Sequence, residues 1–232
     1  MRQLLSPRAL LVAVAALAAS TIGLGLALAM GVNGETTVRN VVTAASCKAG
    51  EPGCTLRQAI HVHADFALFI DGQPFDFNQE RFVSHDEADE KSPYVHIHPP
   101  RASVVHVHMS GTTWDEFFRS LGFELQDATV PGVAVGRACL KTPDGARLCS
   151  GEGGKTLKFY LNGIRADGIA FEEIGNLDRL LISYGAESDE QVRAEQLSRV
   201  TDQSCIPSEL CIDRIPPNEP PEQCSGRGAC GK

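Results

Sequence analysis

The segment HVHADFALFIDG, residues 61–72, alternates without a break. Val62, Ala64, Phe66, Leu68 and Ile70 fall on one side of an extended chain. His61, His63, Asp65, Ala67 and Phe69 fall on the other. Period two is the repeat of a β-strand, not of a helix. Any sheet that holds this strand needs a core on its apolar face and a different use for the face that begins with two imidazoles and a carboxylate. Asp71-Gly72 is a turn signal, and PFDF at 74–77 reads as a return strand.

The pattern recurs twice. His96/His98 interleave with Val95 and Ile97, and His106/His108 with Val105 and Val107. All seven histidines lie between positions 61 and 108, and six of them are in His-x-His pairs. Residues two apart on a strand point to the same side. Pro99-Pro100 separates strands 94–98 and 103–109, because proline cannot donate to a ladder. If those strands pair antiparallel, the four valine and isoleucine side chains share a face only when paired residue numbers have an even sum. A slip by one would put one apolar set in water. The even register brings His96, His98, His106 and His108 onto one face, with directly opposite Cβ atoms roughly 4.5–5.5 Å apart. Imidazoles at that spacing share one metal ion at about 2.0–2.1 Å per nitrogen. His61 and His63 add ligands or a second site if their strand is a neighbour.

Six residues are therefore candidate metal ligands: His61, His63, His96, His98, His106 and His108. Imidazole suits zinc, copper and nickel, and the pattern favours zinc or copper(II). Met109 falls with Val105 and Val107, away from the histidines, which argues against a copper(I) thioether site. The competing reading is a pH-sensitive surface of clustered imidazoles. Asp65 shares the histidine face, either as a partner that fixes an imidazole tautomer or as a solvated acid. His85 lies in the acidic stretch NQERFVSHDEADEKS and reads as a loop residue or an additional ligand.

A helix follows. Thr113 with Glu116 forms a capping-box pattern, and Trp114, Phe117, Phe118 and Leu121 share one face. ACLKTPDGARLC is a hairpin about Pro143-Asp144-Gly145, with Cys139 and Cys149 placed to staple it. TLKFYLNG and DRLLISYG are further strands, and Ser188 with Gln191 caps a short helix over 189–200. This order predicts an α+β domain: a mainly antiparallel sheet with one packed helix, in a β-grasp-like arrangement. Four regions result: 1–34, an N-terminal membrane anchor or signal; 35–56, a stalk with a Cys loop; 57–187, the His-rich α+β domain; and 188–232, a helix and a Cys/Pro-rich tail.

Ala9 to Gly34 contains no charged residue, and a transmembrane helix needs about 20 apolar residues. The expectation is a single-pass anchor over residues 9–31. Ala27-Leu28-Ala29 offers a cleavage site if the segment is instead a signal. Arg2 and Arg8 hold the N-terminus in the cytoplasm, so the C-terminal domain is extracytoplasmic. Eight cysteines, all after residue 46, agree with an oxidised compartment. Their spacing suggests local bridges 47–54, 139–149, 205–211 and 224–230. Beyond Arg8 the chain has 19 basic and 29 acidic residues. That excess of negative charge excludes a nucleic-acid partner, which requires a basic face.

HVHADFALFIDG, VVHVHMSGTTWDEFFRSLG, LKFYLNG, DRLLISYG and the CIPSELC tail together resemble a group of small, membrane-anchored, extracytoplasmic His-x-His proteins of archaea and bacteria. Some of these carry an automatic protein-disulfide isomerase label. The resemblance covers roughly residues 57–230 and implies a tethered domain outside the cytoplasm. The isomerase label does not fit this chain, which has no Cys-x-x-Cys. Three functions remain open on the residues alone. One is a membrane-tethered transition-metal-binding protein. The second is a zinc-dependent hydrolase or hydro-lyase at the same histidines, with metal-bound water as nucleophile. The third is a non-catalytic module that contacts an envelope protein.

Overall fold

The computed structural model describes residues 57–85, 91–127 and 137–218. The chain divides into two compact units, Met1–Leu56 and Arg57–Lys232, and the described residues all belong to the second. The anchor, the stalk and the 47–54 and 224–230 cysteine pairs lie outside them. Among the described residues, no helix is long and apolar enough to cross a membrane.

The alternating segment forms β1 (Ala59–Ile70), a strand of 12 residues. The other strands are β2 (Gln73–Pro74), β3 (Val95–His96), β4 (Val104–Met109), β5 (Glu124–Gln126), β6 (Cys139–Lys141), β7 (Arg147–Cys149), β8 (Thr156–Leu161), β9 (Ile164–Ala166) and β10 (Arg179–Gly185). The main sheet runs β3-β4-β1-β10-β8-β9, with β2 also on β1, and a small sheet runs β5-β6-β7. The fold is thus mainly antiparallel sheet with few helices, as the alternation predicts. One ladder departs from that rule. β1 and β10 run parallel in the middle of the sheet, with Asp65 opposite Arg179 and Ile70 opposite Tyr184.

β3 and β4 take the even register, with Val95 opposite Val107 and His96 opposite His106. β3 is only two residues long and β2 likewise, shorter than the strands read over 94–98 and 74–77. Pro74 closes β2, and β3 stops at His96, after which Ile97 O accepts from the Ser84 N–H at 2.8 Å. β5 and β9, three residues each, are too short to carry a visible alternation.

One face of the sheet packs on helix α1 (Trp114–Ser120). Ala64, Phe66, Leu68, Val95, Ile97, Val105, Val107, Leu180 and Ile182 meet Trp114, Phe117 and Phe118 there in one buried cluster. Phe66 lies at its centre, with the rings of Phe77 and Phe117 at 4.7 and 4.8 Å. Full burial of each such side chain contributes about 1.5–3 kcal/mol. Thr113 caps α1 by accepting from the Glu116 N–H at 3.3 Å. The reciprocal half of the predicted capping box is absent, because the Glu116 carboxylate is taken by Arg57. That guanidinium donates to both of its oxygens at 3.0 Å and ties the entry to β1 onto the helix.

The opposite face is covered as well, where a single packed helix had been expected. Helix α2 (Asp189–Glu195), with the full Ser188/Gln191 capping box, lays Val192 on Phe69, Tyr160 and Leu181, and Val200 joins them. This second face divides along β1. Ala67 and Phe69 belong to the apolar half under α2, and His61 and His63 to the other half. In the small sheet Cys139 pairs with Cys149 and the two form a disulfide, as the hairpin predicts. Cys205 and Cys211 form the other disulfide seen.

Candidate metal centre

Three strands carry five of the six paired histidines, and His98 follows β3 two residues beyond its end. His63 stands opposite His106 across the β1–β4 ladder, and His96 stands opposite His106 across β3–β4. His106 is therefore flanked by an imidazole on either side. The ring contacts form a continuous chain. His98 and His106 have centroids 4.0 Å apart, His63 and His106 4.7 Å, His61 and His108 4.9 Å, and His96 and His108 5.0 Å.

His61 and His63 are closer than their strand spacing allows in ideal geometry. Residues two apart on a strand are roughly 6.6–6.8 Å apart along the chain. Their ring centroids are nevertheless 4.5 Å apart, and the two Nε2 atoms are 3.2 Å apart. The β1–β4 register shifts between Ala59 and Val62, an irregularity that spans His61. Bulges of this kind bend a strand and re-aim a side chain. One nitrogen from each of His61, His63 and His106 lies within 4.8 Å of the others. Two nitrogens bound to one tetrahedral zinc stand about 3.3–3.4 Å apart, given bond lengths of about 2.0–2.1 Å. The His61–His63 pair, at 3.2 Å, is already near that separation, and the His106 nitrogen lies within 4.8 Å of both.

The tautomers are set by what the other ring nitrogens meet. A backbone carbonyl only accepts, so His96 Nδ1–H donates to Ser92 O at 3.2 Å, and His98 Nδ1–H donates to Pro99 O at 3.0 Å. Each leaves Nε2 as the lone-pair nitrogen, the form a metal requires. His63 Nδ1 meets the Ser208 hydroxyl at 2.8 Å. That hydroxyl donates to Asn176 Oδ1 at 3.2 Å, and the same Oδ1 accepts the His63 backbone N–H at 3.2 Å. Two donors converging on one atom identify it as the amide oxygen. The Ser208 proton is thereby committed, so His63 Nδ1–H donates to Ser208 Oγ, and His63 Nε2 faces His61 with its lone pair.

Burial distinguishes this arrangement from a solvated sheet face. His63, His96, His106 and His108 are 1–4% exposed. His61 and His98 are part-exposed and mark the side from which the cluster opens to solvent. Asp65 is fully buried, and no solvated acid stands there. Its Oδ1 accepts from the Thr201 hydroxyl and from Gln203 N–H at 2.8 Å, and its Oδ2 from Ser204 N–H at 3.0 Å. Asp65 thus clamps residues 201–204 onto the sheet beside His63. His85 sits on an exposed loop and pairs with Glu80 at 2.9 Å.

Ser208, Asn176 and Thr201 are site residues that the strand pattern does not reveal. Asn176 and Ser208 are 113 and 145 positions from His63 and carry no periodic signal. No family model, no curated protein and no solved structure matches the chain.

Proposed function

We propose that this protein binds a divalent transition metal, zinc or copper, on its histidine sheet. The observation that carries the reading is the cluster of His61, His63 and His106 nitrogens, all within 4.8 Å, with one pair at 3.2 Å. His98, His96 and His108 continue the same ring chain and supply a fourth ligand or a second ion site. Imidazole is a ligand for both metals. Before metal arrives, the His61–His63 contact needs one proton between the two Nε2 atoms, and the ion takes its place.

The finer architecture follows the same line. A helix on one face of a sheet whose first and last long strands lie side by side in parallel supports the β-grasp-like reading. The uncharged stretch from Ala9 to Gly34 supports a tether that holds this domain outside the cytoplasm, in line with the resemblance to anchored His-x-His proteins. In that setting the protein captures metal or passes it to an envelope partner.

Calorimetric titration of the chain with Zn(II) and Cu(II), after purification without a histidine tag, tests the reading. His61→Ala is the variant of choice because its ring is part-exposed and its loss leaves no sealed cavity. The expected result is tight binding by the wild type and an affinity at least about 100-fold weaker in His61→Ala, with an unchanged urea midpoint. Absence of binding in the wild type refutes metal capture and leaves the cluster as a pH-sensitive surface.

A further inference from the structure

The segment from Val200 to Arg214 returns to the histidine face after helix α2, and it is fastened there at several points. Asp65 receives the Thr201 hydroxyl and two backbone N–H groups. Arg214 donates to Asp202 Oδ1 at 2.8 Å, which closes the segment on itself. Between those anchors, Cys205 and Cys211 are bonded. The loop they enclose is tightly turned: Ser208 N–H donates to Ser204 O at 3.3 Å, and both Leu210 and Cys211 N–H groups donate to Cys205 O at 2.9 and 3.3 Å. At its tip stands Ser208, with its hydroxyl on His63 Nδ1. Within the loop, Ile206 is buried and the Ser208 hydroxyl reaches His63. Leu210, on the same loop, is 62% exposed.

We propose that the Cys205–Cys211 loop is a redox-dependent clamp on the metal centre, in which Ser208 acts as a positioning residue that holds His63 as the Nδ1–H tautomer. The inference rests on the metal-binding reading above and assigns regulation to the same site. An imidazole has one lone pair to give, and the hydrogen bond at the other nitrogen decides which atom carries it. Ser208 accepts from Nδ1 because its own proton goes to Asn176. With Ser208 in place, His63 offers Nε2 to the side where His61 and His106 stand. With the loop open, His63 samples both tautomers and both ring flips, and the site loses its pre-set ligand. Opening requires a dithiol reductant. It transfers two electrons and two protons to the Cys205–Cys211 bond, yields two thiols and leaves as its own disulfide. Reduction therefore lowers metal affinity, and reoxidation restores it. Partners at this remove change metal affinity by about 10–100-fold when lost.

The test uses the full chain and two substitutions in the clamp. Ser208→Ala should weaken Zn(II) binding about 10–100-fold, and Ser208→Thr, which keeps the hydroxyl, should restore it. Cys205→Ala with Cys211→Ala leaves the Cys139–Cys149 bridge intact and should weaken binding to the same degree. Adding Ser208→Ala to the cysteine pair should cost nothing further, because both act through one hydroxyl. A second readout needs no metal: nitrogen NMR of the apo chain should show His63 as a single Nδ1–H tautomer in the wild type and as a mixture in Ser208→Ala. If wild type binds no Zn(II), metal binding fails while the tautomer measurement still reports on the clamp. If wild type binds and Ser208→Ala binds equally well, or if the losses from the serine and the cysteines add, the clamp is wrong and metal binding stands.

Discussion

Phe66 and His63 lie three residues apart on β1, on opposite faces, and each is surrounded by rings. The rings around Phe66 are those of Phe77, Phe117 and Phe118, at 4.7, 4.8 and 6.2 Å. Around His63 they are those of His61 and His106, at 4.5 and 4.7 Å. The packing distances are nearly the same and the requirements differ. A phenyl ring in a core needs only contact, and its burial is favourable by itself. A buried imidazole carries two nitrogens that must be satisfied, and failure costs about 1–3 kcal/mol per group. The phenylalanine face is therefore held by apolar side chains from any direction. The histidine face requires named polar partners at particular atoms: Ser92, Pro99, Ser208 and Asn176. One strand thus carries a face held by apolar packing and a face held by specific polar partners.

That contrast can be broken from either side. Val105 is fully buried against α1, and Val105→Asp places an uncompensated charge there. A penalty of several kcal/mol against a typical stability of about 5–15 kcal/mol should abolish the cooperative unfolding transition in circular dichroism. Phe66→Ala is the milder form: a loss of about 3–5 kcal/mol in urea denaturation, with Zn(II) affinity of the folded fraction unchanged. A drop in affinity there would show that the two faces are not independent. Asp65→Ala should sharpen the comparison from the polar side. It strips three donors of their acceptor and should cost about 3 kcal/mol. Unlike Phe66→Ala, it should also weaken Zn(II) binding, because it loosens the segment that carries Ser208.

The smallest effect concerns the apolar half of the second face. Burial, with the Tyr160 hydroxyl donating to Asp189 at 2.6 Å, pushes the Tyr160 phenol up to about 12. A raised folded-state pKa contributes stability that is complete below the unfolded value, near 10, and is lost as pH rises towards about 12. Stability should fall across that alkaline window in the wild type. Tyr160→Phe should flatten the fall and cost about 0.5–1.5 kcal/mol at neutral pH, measured by urea titration at a series of pH values.

The division between the two faces was readable from residues 61–70 alone, and the even β3–β4 register followed from keeping Val95, Ile97, Val105 and Val107 together. The Cys139–Cys149 and Cys205–Cys211 bridges were readable from spacing, because each closes a short loop. The parallel neighbour of β1 was not readable, since an alternation of side chains carries no strand polarity. Nor was the burial of the imidazoles. CIPSELC has too few apolar residues to announce that it packs on anything, yet its Ile206 is buried, and residues 201–204 just before it are fastened by hydrogen bonding to Asp65. The reading of Asp65 as a ring partner or a solvated acid missed this third use, because a strand pattern gives a residue's face but not its partner.

The pairing of β1 with β10 has a consequence for how the chain reaches this state. Asp65 and Arg179, neighbours in the central ladder, come from opposite ends of the domain, and the β1–β10 ladder cannot form until nearly all of it is present. Contacts of such high sequence separation close slowly, because the entropy of the intervening loop is lost before the ladder forms. Until β10 arrives, β1 has β4 on one edge and an unpaired row of N–H and C=O groups on the other. Half-made molecules of this kind pair with one another through that edge. Yield on refolding should therefore depend on protein concentration.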